Sequence, residues 1–330
     1  MTRKLGSGGP HVSRLGLGCM GMSGVYGPAD EEESVATIHA ALDAGINLLD
    51  TGDFYGMGHN ELLIARALAG RGRDRAVISV KFGAQRGPDG SWLGYDARPQ
   101  AVKTALAYSL RRLRSDHIDV YRPARLDPAV PIEETVGAIA EMVQAGYVRH
   151  IGLSEVGAET IRRAATVHPI CDLQIEYSLI SRAIEGSILP TCRELGIAVT
   201  AYGVLSRGLL TGRYPADSRR QGDSRARMPR FRDENLRHNL TLVDRLRSIA
   251  EARDATASQV AIAWVLSRGE DIVPVVGARR REQLTEALGA LELDLLPEEC
   301  AEIEQALPAG AVAGSRYDEA QMAHLDSERA

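Results

Sequence analysis

The sequence has few aromatic residues and few cysteines. Only 5% of its 330 residues are aromatic, and its four cysteines include no C-x-x-C pair. Cysteines as widely separated as Cys19, Cys171, Cys192 and Cys300 indicate neither a zinc site nor a disulfide framework, so we expect no metal. Reduced thiols are typical of the cytoplasm, which is the expected location of the protein.

Long apolar runs and a strong excess of one charge are also missing. No stretch approaches the roughly 18 apolar residues of a membrane helix, and the N-terminus lacks the apolar core of a signal peptide. The formal net charge of -5 does not favour nucleic acid. We therefore expect neither a membrane nor a nucleic acid as partner, while the oligomeric state stays open. A hydrophobic content of 44% is typical of a globular chain with a large core.

Short apolar runs recur along the chain, with amphipathic segments between them. Near-continuous aliphatic runs are typical of parallel strands that are covered on both faces. The runs span residues 15–20, 46–50, 77–82, 118–121, 148–154, 173–177, 198–203 and 272–278. These eight runs predict a closed (β/α)8 TIM barrel, with an open doubly wound sheet as the alternative. No linker interrupts the pattern, so we expect residues 1–330 to form one domain.

Start signals precede several predicted helices. Asp30 followed by Glu33 has the spacing of a helix N-cap, and Thr256 followed by Gln259 has that of a capping box. Prolines precede or open the other helices. The predicted helices span residues 31–44, 99–114, 132–145 and 256–267, and a last one begins at Pro297.

Two segments do not follow the repeated pattern. Residues 3–15 are expected to form an N-terminal β-hairpin around Gly8 and Gly9. Residues 206–234, after the seventh run, lack helical or strand periodicity and contain eight arginines. Loops of this length are usually lids or binding loops.

A glycine-rich motif raises an alternative fold. Residues 16–21 match G-x-G-x-x-G, and Asp50 ends a later strand, as in dinucleotide-binding sheets. In those sheets the third glycine opens a helix directly. Here Gly24 and Gly27 interrupt the segment that follows, so the motif does not favour that fold.

Polar residues at the strand ends are the candidates for catalysis, because the loops after the strands of a barrel build its active site. Lys81 and Asp50 end neighbouring predicted strands, and a buried ammonium needs such a partner. The alternative for this pair is a structural ion pair at the rim. Tyr55 follows Asp50 closely, and an ammonium nearby would lower the pKa of its phenol and suit it to general acid catalysis.

Seven motifs follow one another along the chain: GLGCMGMSGVYGP, LLDTGDFYG, SVKFG, RHIGLSE, LQIEYSL, GVLSRGLLTGRY and PVVGARRREQLTEAL. They resemble those of the aldo-keto reductases, in particular bacterial members with a GLGCMGMS start. The resemblance implies a (β/α)8 barrel that uses NADPH or NADP+ and acts on a small-molecule aldehyde or ketone. Hydride passes to the carbonyl carbon while a tyrosine protonates the oxygen. The matching residues are Tyr55 as general acid, with Lys81 and Asp50 tuning it.

The strand end at residues 118–125 departs from the family pattern. The family's tyrosine-glutamine-histidine-arginine sequence places its substrate-binding histidine on Ala124, whose methyl group cannot donate a hydrogen bond. Loss of such a donor costs about 3 to 4 kcal/mol of transition-state stabilisation. Arg122 has the same side-chain parity, roughly 6 to 7 Å along the strand, and is our candidate to replace the histidine. The alternative is that Arg122 pairs with Asp50 or Asp119 and only packs.

The resemblance also assigns cofactor residues. Ser154 and Gln174 would hold the nicotinamide carboxamide, and Tyr202 would stack on the ring. The loop after Tyr202 would bind the pyrophosphate, and the segment 277–281 the 2′-phosphate. The predicted cofactor set is Gly18, Cys19, Met20, Ser154, Gln174, Tyr202, Gly203, Leu205, Arg207, Gly208, Gly277, Arg279, Gln283 and Glu286.

One feature supports phosphate binding without the resemblance. Arginines 279–281 stand where a helix is expected to begin, which is unfavourable to the helix dipole. A bound phosphate would offset this, and an arginine beside the ribose favours NADPH over NADH. A solvated basic surface is the alternative. The family often has an asparagine where this chain has Ala287, which removes one expected adenine contact.

Rim residues are the candidates for the substrate site. Tyr26 and Trp92, together with Met20 and either Tyr317 or Met322 of the tail, are expected to form its walls, and Trp92 lies in a Gly/Pro/Asp-rich loop. Two other functions stay open. A regulatory or redox-sensing barrel with low turnover is consistent with Ala124, and a lyase or aldolase would use Lys81 as a Schiff-base amine.

Overall fold

Eight parallel strands form a closed barrel, which confirms the predicted (β/α)8 fold. The structure, a computed structural model, describes residues 2–214 and 223–329. The barrel strands, in their order around the barrel, are β3 (Gly16–Gly18), β4 (Leu48–Gly52), β5 (Val77–Phe82), β8 (Ile118–Pro123), β9 (Val148–Ser154), β10 (Ile170–Glu176), β11 (Ala198–Tyr202) and β12 (Ile272–Gly277), which closes on β3.

Most helices connect successive barrel strands, and the last three follow the final strand. They are α1 (Glu31–Asp43), α2 (His59–Leu68), α3 (Pro99–Leu113), α4 (Ile132–Gln144), α5 (Ala158–Val167), α6 (Ile188–Glu194), α7 (Asp233–Glu251), α8 (Ala257–Ser267), α9 (Arg281–Gly289), α10 (Pro297–Ala306) and α11 (Glu319–Ala323). Among the described residues, no helix is both long and apolar enough to cross a membrane.

The predicted helix starts are confirmed. Asp30 caps α1 by accepting a hydrogen bond from the backbone N–H of Glu33 at 2.8 Å. Thr256 and Gln259 form a reciprocal capping box at α8, which satisfies two N–H groups that the helix leaves without partners. Prolines occupy the first positions of α3 and α10. The capping chemistry is local, and so the sequence alone indicates these boundaries.

Two hairpins lie outside the barrel. The predicted N-terminal hairpin consists of β1 (Thr2–Lys4) and β2 (His11–Ser13), paired antiparallel. A second hairpin, β6 (Ala84–Arg86) with β7 (Trp92–Tyr95), follows β5. Trp92 therefore lies on a strand, and the prediction of an irregular loop there is wrong.

The interior of the barrel is apolar at one end and polar at the other. Near the amino ends of the strands, Leu48, Val120 and Val273 pack with Leu5 and Val12 of the hairpin region. The buried polar side chains at the carboxyl ends are Asp50, Lys81, Ser154, Gln174 and Glu176. The hairpin thus closes the apolar end, and the polar groups collect where a barrel carries its active site.

The described parts of the segment 206–234 contain more regular structure than predicted. Three short 3-10 turns occupy Ser206–Thr211, Ser224–Arg227 and Pro229–Phe231, and α7 begins at Asp233. The middle of the predicted loop, residues 215–222, lies outside the described residues.

Candidate active site

The predicted catalytic residues lie together at the carboxyl ends of β4 and β5. Lys81 Nζ is 2.7 Å from Asp50 Oδ2, and both side chains are buried. Asp50 also accepts hydrogen bonds from Gln174 Nε2 at 2.7 Å and from Ser79 Oγ at 3.3 Å. With three donors around it, this carboxylate is held in one orientation.

Tyr55 stands beside this ion pair because its 3-10 turn, Tyr55–Gly58, follows β4 after only two residues. Lys81 Nζ lies 5.1 Å from the centroid of the Tyr55 ring. Phe54 packs against the ring edge-on, with centroids 4.8 Å apart. The phenol is therefore buried and braced next to the ammonium.

The pKa of Tyr55 shifts in the direction opposite to the one predicted. Burial raises it well above its usual value, the charge of Asp50 raises it further, and the charge of Arg125 opposes both. Burial also lowers the pKa of Lys81. The predicted shift assumes an unpaired charge on Lys81, whereas the Asp50 carboxylate neutralises this charge at 2.7 Å.

Arg122 does not occupy the place predicted for it. Its fully buried guanidinium lies inside the barrel, with Nη2 3.0 Å from Asp172 Oδ2. It also donates to Ser79 Oγ at 2.9 Å and to Thr200 Oγ1 at 3.1 Å. The ion pair corresponds to the packing alternative, but the partner is neither Asp50 nor Asp119.

Arg125, which was not among the predicted site residues, also lies at the end of β8. Its Nη1 donates to the carbonyl of Ala124 at 2.6 Å and to Ser154 Oγ at 3.5 Å, and its Nη2 donates to the Tyr317 hydroxyl at 3.3 Å. The guanidinium therefore folds back over residue 124, the position of the family's histidine. The position of Arg125 directly after Ala124 in the sequence was the signal that could have indicated it as a site residue.

Three predicted nicotinamide residues lie on adjacent strands. Gln174 pairs in register with Ser154 on one side and with Thr200 on the other, and Tyr202 ends the next strand. The Tyr202 hydroxyl is 2.6 Å from Glu155 Oε1, to which it donates, and 3.0 Å from the Tyr317 hydroxyl. The barrel register thus brings these side chains to one side of the mouth.

The Glu155 carboxylate anchors the C-terminal segment, which sequence reasoning missed. Arg316 Nη1 and Nη2 donate to its two oxygens at 2.8 and 2.5 Å. Burial raises the pKa of Glu155, but the charge and hydrogen bonds of Arg316, the charge of Arg125 and the hydrogen bond from Tyr202 together hold this pKa well below its usual value. Nothing local in the sequence indicates a pair separated by 161 positions.

The loop after β11 presents an arginine suited to an anion. Arg207 has a positive φ of 56° and donates to Glu176 Oε2 at 3.1 Å, while its buried Nη1 has no hydrogen-bond partner among the described residues. The next residue, Gly208, has φ +95°, which disfavours any side chain. An additional Cβ at Gly203 would lie 3.0 Å from Glu176 Cγ. The orphaned donor and the compact glycine turn fit a pyrophosphate group.

A second cradle lies where β12 meets β3. Gly18 and Gly277 are paired in register, and a Cβ at Gly18 would lie 3.5 Å from the backbone nitrogen of Gly277. Arg279 donates from its backbone to Gln283 Oε1 at 3.1 Å and from Nη1 to carbonyls of residues 26–28. Arg280 is exposed at the start of α9. The backbone N–H and Nη2 of Arg281 both donate to the Glu33 carboxylate at 2.9 Å, so a carboxylate already lies at the N-terminus of α9 and a phosphate would have to share or displace it.

The four remaining predicted cofactor residues lie in different surroundings. Cys19 is fully buried and belongs to the core, and Met20 begins a 3-10 turn. Leu205 packs against the core, and Glu286 is 2.9 Å from Arg213.

The predicted substrate residues differ in burial. Burial raises the pKa of Tyr26 to about 12, and Arg225 lies over its ring at 5.3 Å. Trp92 is 42% exposed and packs edge-on against Tyr95. Tyr317 reaches the centre of the mouth, where its ring lies 4.6 Å from the Arg207 guanidinium.

Sequence comparison places residues 14–308 within the model of the "Aldo/keto reductase family". A probable aldo-keto reductase 1 of Glycine max is 43% identical over 317 residues, which are 95% of this chain and 91% of that protein. The aldo-keto reductase yakc [NADP(+)] of Schizosaccharomyces pombe is 40% identical over 321 residues, covering 96% and 94% of the two chains.

Solved structures are similar over nearly the whole chain. A glycerol dehydrogenase of Gluconobacter oxydans has a TM-score of 0.84 at 30% identity, covering 98% of this chain and 96% of that one. The holo form of an aldo-keto reductase from Bacillus halodurans has a TM-score of 0.77 at 30% identity, covering 94% and 97%.

Proposed function

The chain belongs to the aldo/keto reductase family, and we propose that it reduces an aldehyde or ketone with NADPH, with Tyr55 as general acid. One observation carries this proposal. The Lys81–Asp50 ion pair, 2.7 Å long, is buried against the face of the Tyr55 ring. When bound, the nicotinamide supplies the hydride.

The protonation state of Tyr55 supports reduction near neutral pH. Its raised pKa keeps the proton on the phenol, so that Tyr55 can donate it to the carbonyl oxygen as the hydride arrives. Lys81 and Asp50 orient and brace the ring. In the reverse direction Tyr55 would have to be deprotonated first, and we therefore expect alcohol oxidation to need a more alkaline medium.

Binding of NADPH is proposed to use four groups of residues. Ser154 and Gln174 would hold the carboxamide, Tyr202 would face the ring, and Arg207 would bind the pyrophosphate through its unpartnered Nη1. The 2′-phosphate would lie at the start of α9, where arginines 279–281 gather beside a helix N-terminus. The yakc relative carries NADP(+) in its name, which supports the same preference here.

Residues 1–330 are proposed to act as one domain. The N-terminal hairpin region packs into the barrel interior, and Arg316 near the C-terminus binds Glu155 at the barrel mouth.

The proposal is tested with Tyr55→Phe in an assay that follows NADPH oxidation with a panel of aldehydes and ketones at pH 7. We expect kcat to fall about 10²- to 10⁴-fold, the range for a lost general acid. NADPH affinity, followed by cofactor fluorescence, should stay close to that of the wild type. Tyr147→Phe, which changes a half-exposed phenol, is the matched control.

Two results would count against this function. Wild-type turnover by a folded Tyr55→Phe variant would remove Tyr55 as the acid. A wild type that binds NADPH but reduces none of the carbonyls would favour the cofactor-binding regulatory barrel, for which Ala124 is the specific observation.

A further inference from the structure

The Glu155 carboxylate, directly after β9, is fully buried and hydrogen-bonded through both of its oxygens. Its Oε1 accepts from the Tyr202 hydroxyl at 2.6 Å, from Arg316 Nη1 at 2.8 Å and from the backbone N–H of Glu176 at 3.0 Å. Its Oε2 accepts from Arg316 Nη2 at 2.5 Å and from Ser327 Oγ at 2.7 Å. Glu155 therefore joins the carboxyl ends of β9, β10 and β11 to the C-terminal segment.

The backbone of Glu155 has an unfavourable conformation. Its φ of 54° lies in the left-handed region, which residues other than glycine rarely occupy. Its N–H donates to the Gln174 carbonyl at 3.0 Å, and its own carbonyl accepts from the Ser327 N–H at 3.2 Å. Strained residues persist where their surroundings determine the conformation, and they are frequent at functional sites. The fold thus fixes the place of this carboxylate despite the strain, which a role in the site would explain.

The Tyr202 hydroxyl has three partners at the barrel mouth. It donates to Glu155, it accepts from Arg316 Nη1 at 3.3 Å, and it lies 3.0 Å from the Tyr317 hydroxyl. The bond to Glu155 is the shortest of the three, and hydrogen bonds to a carboxylate are stronger than those between neutral groups. Glu155 is therefore the main partner that fixes the direction of the Tyr202 ring.

Glu155 also lies between the residues proposed for the two parts of the nicotinamide. Ser154, which precedes it, pairs in register with Gln174, and both are proposed to hold the carboxamide. Tyr202, which is proposed to face the ring, pairs in register with Glu176 on the next strand. A ring that is fixed before the cofactor arrives loses no rotational freedom on binding, and this increases the affinity.

We propose that Glu155 is a positioning residue for the cofactor. Through its bond to the Tyr202 hydroxyl it holds the ring in the direction in which it faces the nicotinamide, and Arg316 and Ser327 hold Glu155 in turn. This inference rests on the proposed function, which assigns Tyr202 to the nicotinamide. The C-terminal segment thus contributes to cofactor affinity through Glu155.

Binding of two ligands to the full-length protein, measured by calorimetry, tests this inference. NADPH carries the nicotinamide, whereas adenosine 2′,5′-bisphosphate carries the ribose phosphate without it. Tyr202→Phe keeps the ring and removes the hydroxyl, and Glu155→Ala removes the carboxylate. We expect each variant to raise the Kd for NADPH about three- to tenfold, because the ring must then be ordered on binding. The Kd for the bisphosphate should not change.

The double variant and a control variant separate positioning from general damage. The loss of NADPH affinity in Glu155→Ala/Tyr202→Phe should be no larger than in the more affected single variant, because both changes break the same contact. Glu304→Ala is the matched control. This carboxylate accepts from Trp264 Nε1 at 3.1 Å, from Arg268 Nη1 at 3.0 Å and from Arg182 Nη2 at 3.1 Å, and none of these is a proposed cofactor residue. Both Kd values should be those of the wild type.

Four results would overturn the proposal. Wild-type NADPH affinity in Tyr202→Phe would do so, and this variant is decisive even if Glu155→Ala does not fold. Equal weakening of both ligands in Glu155→Ala would indicate damage to the whole site. Losses that add in the double variant would show that the two residues act independently. A wild type that does not bind NADPH would remove the proposed function as well, whereas the other three results leave that function in place.

Discussion

Replacing Arg122 with methionine tests whether this guanidinium stabilises the fold or serves catalysis. Arg122 and Asp172 are both completely buried, with Nη2 3.0 Å from Oδ2. Thr200 Oγ1 donates to the same carboxylate oxygen at 2.6 Å. Gly152 leaves room for the pair, because a Cβ there would lie 2.5 Å from Asp172 Oδ1. Arg122→Met would leave Asp172 buried without its cation.

The expected cost is large for a single substitution. Removing one partner of a buried ion pair costs about 3–5 kcal/mol, because the remaining charge is desolvated and uncompensated. Native proteins are stable by only about 5–15 kcal/mol, so a fifth or more of that stability would be lost. Replacing both partners by apolar residues is often neutral, and we therefore expect Arg122→Met/Asp172→Leu to recover most of the loss.

Urea unfolding of the wild type, both single variants and the double variant measures these free energies and their coupling. Turnover per folded molecule should stay within a few-fold of the wild type in Arg122→Met, since its guanidinium lies inside the barrel. The reasoning is refuted if Arg122→Met unfolds within about 1 kcal/mol of the wild type and loses turnover a hundredfold. That result would restore Arg122 as the replacement for the histidine.

Two further predictions concern buried carboxylates. Burial raises the pKa of Asp53 from 3.8 to about 7, with the charge of Glu61 adding to it. The folded state therefore holds a proton that the unfolded state loses between about pH 4 and 7, and wild-type stability falls there by up to about 1.4 kcal/mol per pH unit. The free energy of unfolding of Asp53→Asn should therefore rise relative to that of the wild type as the pH increases across this window. Unfolding titrations of both proteins at several pH values measure this difference, and a difference that stays constant would contradict the assignment. Arg316→Met should weaken the protection of tail amides from hydrogen exchange, because Glu155 loses its main cation; unchanged exchange would show that another contact holds the tail.

The outcomes for individual residues show what the sequence could predict about the site. Lys81 and Asp50 were predicted to meet because consecutive strands of a barrel are neighbours, and their ends share one rim. Asp172, the partner of Arg122, belongs to β10, which is two strands away from β8. A contact across the interior depends on strand tilt and side-chain length, which no local pattern specifies. The hairpin that carries Trp92 was missed because its strands have only three and four residues, one of them contains Gly94, and the turn between them is rich in glycine, proline and aspartate.

The amino-acid sequence by itself determined the barrel, the helix starts and the position of Tyr55 near Lys81, because periodicity, capping and chain adjacency are local properties. Tertiary structure alone decided the electrostatics. Burial, which depends on the whole fold, reversed the expected pKa shift of Tyr55. Packing across the barrel paired Arg122 with Asp172 and placed the C-terminal segment at the mouth of the barrel.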